Sequence, residues 1–152
     1  MKQSSPSWKK RLLVGFVFFL FLFFHTEILN FTFFHDRGLW EQVGWRSYED
    51  EDIKRVKFLL WLGADPSYVH DDGHGPTSVL ENAVEWQNLE IIEILLPLLP
   101  AESHSSAMEY ACRRGGHDKA IEFLSERGIT PSKVVEPINP KTPMPTVCLE
   151  VS

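Results

Sequence analysis

"KFLLWLGADP" runs from Lys57 to Pro66, and "EFLSERGITP" runs from Glu122 to Pro131. Phe, Leu, Gly and Pro recur at the same places, 65 residues apart. Internal periods of about 20 to 50 residues mark stacked architectures, and half of that offset falls within the range. A middle copy is therefore expected between the two, and "EILLPLLP", Glu93 to Pro100, supplies it. Phe58, Ile94 and Phe123 then correspond, followed by Leu59, Leu95 and Leu124, at spacings of 36 and 29. The middle copy lacks the Gly and carries Pro97 and Pro100 instead.

A second pattern precedes each copy. "LENA" at Leu80 to Ala83 matches "MEYA" at Met108 to Ala111, 28 residues on, and "WEQV" at Trp40 to Val43 is a fainter first version. The spacing predicts a helix with its large apolar and small residues on one face and Glu81 and Glu109 turned away. The small residue lets the next helix come close. The later segments also read as amphipathic helices: Ile53, Val56, Leu59 and Leu60; then Ile91, Ile92, Leu95 and Leu96; then Ile121 and Leu124 with Ala120 and Phe123 beside them. Gly63 and Gly128 suit left-handed C-caps, which glycine adopts without a Cβ penalty. Pro66 and Pro131 then prevent continuation. The unit is helix, short turn, helix, loop.

This pattern resembles ankyrin repeats. "GPTSVLENAVEWQNLEIIEILL", Gly75 to Leu96, is similar to the family's opening and second helix, and "YACRRGGHDKAIEFLSERG", Tyr110 to Gly128, is similar to the same stretch. "VKFLLWLGADP" resembles the end of a unit. Ser78 stands where the family usually has Pro, and Glu81 and Glu109 lie near its usual His. The resemblance implies an all-α stack of about three helix-turn-helix units and a non-enzymatic function, protein binding through turn tips and the exposed face of the first helices. Carried onto this chain, the partner-binding residues are Tyr68, His70 and His74 in one loop, and Glu81, Glu85, Trp86, Glu109, Arg113 and Arg114 on helices. A narrower alternative is an immunity-type inhibitor that neutralises a toxin on the extracytoplasmic side, where an acidic surface would suit a basic toxin.

The N-terminal segment reads differently. Basic residues precede Leu12 to Phe24, thirteen residues with no polar side chain, and apolar character resumes through Phe34 after His25, Thr26 and Glu27. A buried core helix normally keeps a polar face. A cleaved signal peptide fits the basic start, although no small-x-small pair follows. The preferred expectation is an uncleaved signal anchor over 12–34, 23 residues, long enough to span a bilayer as one helix. The basic cluster would then keep the N-terminus cytoplasmic and place the rest on the extracytoplasmic side. The expected organisation is a basic segment 1–11, a transmembrane helix 12–34 in the lipid bilayer, a repeat domain 35–130 and a Pro-rich extended tail 131–152. That tail is either disordered or laid along the last repeat.

Charge and cysteine content narrow the function. The chain of 152 residues carries a formal charge of −6; setting aside Lys2, Lys9, Lys10 and Arg11 leaves 11 basic against 21 acidic side chains. Such a surface repels phosphate, so nucleic acid is not expected as a partner. Cys112 and Cys148 are too few for a disulfide framework, though they could form one bond. "HDDGHG", His70 to Gly75, offers two His and two Asp for a metal-dependent activity, but Asp-Gly is a turn signal and no thiolate ligands are spaced for zinc. No cofactor, metal or catalytic group is expected.

Overall fold

The computed structural model describes residues 35–44, 50–71, 73, 75–138 and 144–149. The chain divides after Phe34, and all of the described residues lie in the unit His35–Ser152.

Residues 35–43 are helical (α1). They are followed by α2 (Asp50–Trp61), strands β1 (Val69–Asp71) and β2 (Pro76–Ser78), and helices α3 (Val79–Glu85), α4 (Leu89–Leu95), α5 (Ala101–Arg114) and α6 (Asp118–Glu126). The helices form two layers. In one, α3 packs against α5; in the other, α4 packs against both α2 and α6. The residues repeated in the sequence meet between the layers: Leu80, Ala83, Leu95, Met108, Ala111 and Leu124 are each at most 1% exposed. Burying one such Leu or Met side chain contributes roughly 1.5–3 kcal/mol. The alanines add little area, but they permit the close approach of α3 and α5.

Helix ends follow from local chemistry. At the end of α2 the Ala64 N–H donates to the Leu59 carbonyl (3.0 Å) and the Gly63 N–H to that of Leu60 (3.0 Å). At the end of α6 the Ile129 and Gly128 N–H groups do the same to Leu124 (3.1 Å) and Ser125 (2.9 Å). Both are Schellman caps, and both glycines have positive φ, 95° at Gly63 and 71° at Gly128. Helix α3 ends in the same pair of bonds, Asn88 to Ala83 and Gln87 to Val84, but its left-handed residue is Gln87, at φ 52°. A side chain there costs backbone strain. The Gln87 side chain makes use of its place: Nε2 donates to the Gly116 carbonyl and Oε1 accepts from the Lys119 N–H, each at 3.3 Å. The turn of the second helix pair is thereby tied to that of the third.

Two expectations need correction. The fold is not all-α: β1 and β2 form an antiparallel hairpin with His70 opposite Thr77, inserted between α2 and α3. Nor is there a membrane-spanning helix among the described residues, none of whose helices is long and apolar enough to cross a bilayer. The segment 12–34, on which that span was expected, lies outside the described residues.

The tail is laid along the last helix pair. Pro131 is fully buried, Val135 is 4% exposed, and the Ile138 N–H donates to the Arg113 carbonyl at 2.9 Å. A short 3-10 helix, Thr146–Leu149, carries Cys148, which is bonded to Cys112 of α5. In a repeat stack the terminal unit has a flank with no neighbour to cover it. Here the tail covers the flank of α5 that bears Glu109, Cys112 and Arg113.

Candidate functional site

The residues expected to bind a partner fall into three groups. Tyr68 and His70 lie on and beside β1, where they pack as an aromatic cluster with Trp40 of α1. The His70 ring lies 4.6 Å from that of Trp40 and 6.3 Å from that of Tyr68, and Tyr68 Oη and His70 Nδ1 approach to 3.5 Å. Trp40 Nε1 donates to the Thr77 carbonyl at 3.0 Å, which seats the hairpin on α1. His70 thus packs on Trp40 while remaining partly exposed. His74 lies outside the described residues. Among the described residues no three His, Cys, Asp or Glu side chains converge so as to hold a metal.

The second group is a polar network. Glu85 accepts from Tyr110 Oη at 2.9 Å and faces Arg114 at 3.7 Å and His117 at 3.5 Å. Burial, and then the hydrogen bond to Glu85, push the Tyr110 phenol well above its usual pKa. Burial, aided by the Arg114 charge against the pull of Glu85 and Asp118, holds His117 below its usual value. The guanidinium of Arg114 also lies over the Tyr110 ring at 5.2 Å. This network joins α3 to α5 and the start of α6. Trp86 is half-buried at the end of α3, and Arg113 is exposed.

Glu109 departs from its expected outward position. It is 7% exposed; Oε1 accepts from the Ser132 hydroxyl (2.6 Å) and N–H (3.2 Å), and Oε2 pairs with Lys133 Nζ at 3.2 Å. Burial alone would raise its pKa, but the Ser132 hydroxyl, the Lys133 ammonium and the Ser132 amide together hold it below the usual value. It anchors the tail and is withdrawn from any partner.

Glu81 has a double role. With Ser78 it forms a capping box at the start of α3: the Glu81 N–H donates to Ser78 Oγ at 3.2 Å, and Glu81 Oε2 accepts from the Ser78 N–H at 2.8 Å. Its other oxygen, Oε1, accepts from Ser106 Oγ of α5 at 2.9 Å. The sequence held a signal for this, Ser-x-x-Glu before an apolar run.

These bonds place the Glu81 carboxylate in the wall of a cleft of about 210 Å³ between the hairpin and α5. Leu80, Leu99, Val69 and Pro66 give it an apolar lining, and Ser67, Ser78, Ser103 and Ser106 ring it with polar atoms. A cleft for a whole small molecule typically encloses roughly 300–1,000 Å³. This one fits a single side chain. Compared with family models, with curated proteins and with solved structures, the chain finds no match.

Proposed function

We propose that the unit 35–152 is a non-enzymatic binding module for another protein, the role that its resemblance to ankyrin repeats implies. The observation that carries this is the cleft at Glu81 beside the projecting hairpin. Its volume of about 210 Å³ suits one partner side chain. A carboxylate offers about four acceptor sites, and the Ser78 hydroxyl, Ser78 amide and Ser106 hydroxyl take three of them at Glu81. A donor side chain with an apolar stem, such as Lys, Arg or Gln, suits what is left. The exposed face of β1, with Val69 at 52% exposure, extends the surface beyond the cleft. The bond between Cys112 and Cys148 supports a location in an oxidising compartment, since such bonds persist there and are rare in the cytosol.

A photoreactive residue at Ser67, introduced into the full chain in its native cells, should crosslink one discrete protein. Filling the cleft with Ser103→Trp should abolish that adduct. The same probe at Glu136, exposed on the tail, should give none. An adduct at Ser67 that survives the filled cleft would sink this reading.

A further inference from the structure

The outward face of α2 is built unlike the rest of the outer layer. Phe58 is 56% exposed and Trp61 is 78% exposed, and their rings stack on each other at 5.9 Å with planes 23° apart. Lys54, Arg55 and Lys57 are exposed along the same helix. Residues 54, 57, 58 and 61 follow the spacing i, i+3, i+4, i+7, so they form one continuous stripe. Of these, Lys57 has a partner, Glu90 at 3.8 Å, with both side chains more than half exposed; such a contact holds a lysine only weakly.

The corresponding helix α6 shows what this position carries when it faces water. Lys57 corresponds to Glu122 and Trp61 to Glu126. Phe123, the counterpart of Phe58, is half-buried beneath the Arg127 guanidinium, which lies 3.4 Å from the ring centre and is held by Glu93 at 3.0 Å. On α2 the place of Arg127 belongs to Leu62, and the rings have no such cover. Lys54 matches Lys119, exposed on both helices, but beyond that turn the same backbone presents Glu122, Glu126 and a covered ring at one end of the stack, and Lys57 with two open rings at the other.

From this contrast we infer that the α2 face docks on an anionic lipid surface, with Phe58 and Trp61 entering the headgroup region and Lys54, Arg55 and Lys57 pairing with lipid phosphates. The inference uses α2 alone and is independent of the cleft at Glu81. Asp50, Glu51 and Asp52 at the start of α2 balance its three bases in number, but the bases Lys54, Arg55 and Lys57 follow them in the turn next to the two rings, and there the local charge favours an anionic occupant. Size favours lipid over protein. Two rings so exposed offer on the order of 250 Å² of apolar surface, whereas a stable protein interface buries about 800 Å² on each partner. A bilayer interface demands no matching shape, and aromatic rings flanked by snorkelling basic residues are suited to its headgroup layer. Each basic residue near an anionic bilayer strengthens binding about fivefold, so three make attachment reversible and sensitive to salt.

The test uses the full chain with phosphatidylcholine vesicles containing or lacking phosphatidylglycerol, their acyl chains brominated to quench nearby indoles. Leu12–Phe24 is apolar in sequence, so co-sedimentation of the full chain would not isolate α2 and is not the readout. The readout is the Trp61 emission, taken as wild type minus Trp61→Phe. It should be quenched on vesicles with phosphatidylglycerol and far less on phosphatidylcholine alone. Lys54→Gln/Arg55→Gln/Lys57→Gln should weaken the anionic-lipid dependence about a hundredfold with far-UV circular dichroism unchanged, because these side chains are exposed. Trp61 emission untouched by brominated lipid overturns the inference, as does quenching that ignores lipid charge. If Trp61 ignores both vesicles and a Glu- and Leu-rich helical peptide shifts its emission instead, the face is a protein dock and the lipid inference is overturned.

Discussion

Helices α2 and α6 occupy corresponding places, 65 residues apart, and both end in a Schellman cap on a glycine. Inward they agree: Val56 and Ile121 are both buried, and Leu59 and Leu124 both face the core cluster. Outward they share an exposed lysine, Lys54 and Lys119, and differ in the turns that follow it, at Lys57 against Glu122, Trp61 against Glu126 and Leu62 against Arg127. The end bearing α6 is also fastened, by the tail, by Glu109 and by the disulfide, while α2 has none of these. The scaffold thus sets which positions are buried, and leaves the exposed positions and the two ends of the stack free to diverge.

The largest effect is expected from unfastening the α6 end. Replacing Cys112 and Cys148 together by Ser removes a link between residues 36 apart in sequence. Loss of such a bond typically costs about 2–5 kcal/mol. Amide exchange should accelerate across α5 and α6 much more than across α2, and dithiothreitol should reproduce the effect in the wild type. Equal acceleration in α2 would mean that the stack unfolds as one unit and that its ends are not separately held.

A somewhat smaller loss is expected from wedging the layers apart in the middle. Ala83 is fully buried where α3 meets α5, and overpacking a tight core costs about 1–3 kcal/mol. Ala83→Leu should lower the melting temperature and loosen both ends alike, because the middle pair touches both. Gly44→Ala acts at the α1 end. Its Cβ would stand 2.7 Å from Asn82 Nδ2, and that nitrogen is already committed to the Trp40 carbonyl at 2.8 Å. Its loss should appear in exchange at α1 and α3 and spare α6. A uniform loss would erase the distinction between the ends.

The anchor at Glu109 should show itself in pH. The folded state holds its pKa below the usual 4.5. The unfolded chain therefore takes up the proton first on acidification. The stabilisation is complete above about pH 4.5 and is lost as pH falls through the lowered folded value. Acid melts should show the tail and α6 loosening over that interval, and Glu109→Gln should remove that part of the pH dependence. An unchanged acid profile in the variant would show that Glu109 does not hold the tail.

The smallest effects should come from exchanging the outer dress of the two helices. Trp61→Glu places on α2 the residue that α6 carries there, and a substitution at so exposed a site should change stability by less than about 0.5 kcal/mol. Arg127→Leu gives α6 the residue of α2 and removes the cover over Phe123, at a cost of roughly 0.5–1 kcal/mol. If Trp61→Glu proved strongly destabilising by thermal melt, its ring would be a structural element and the contrast between the faces would lose its functional meaning.

The sequence by itself determined the repeat, its helices and the interior positions, because an amphipathic helix writes its buried face as a 3.6-residue period and a glycine cap writes its own end. Leu80, Ala83, Leu95, Met108, Ala111 and Leu124 were legible on that ground. The Ser78–Glu81 box is written in the sequence as Ser-x-x-Glu, but the family resemblance marked Ser78 as a departure and Glu81 as a partner-binding residue, and the structure revealed the cap. Only the tertiary structure decided the rest. Glu81 and Glu109 sit at equivalent places in the repeat, yet one borders a cleft and the other is sealed under the tail; the difference depends on Ser106 and Ser132, 25 and 23 residues away. The pairing of Cys112 with Cys148 and the seating of His70 against Trp40 are likewise contacts between distant segments. Periodicity reports which side of an element faces inward. What then covers the outward side is settled by packing between segments far apart in the chain, and no local pattern encodes it.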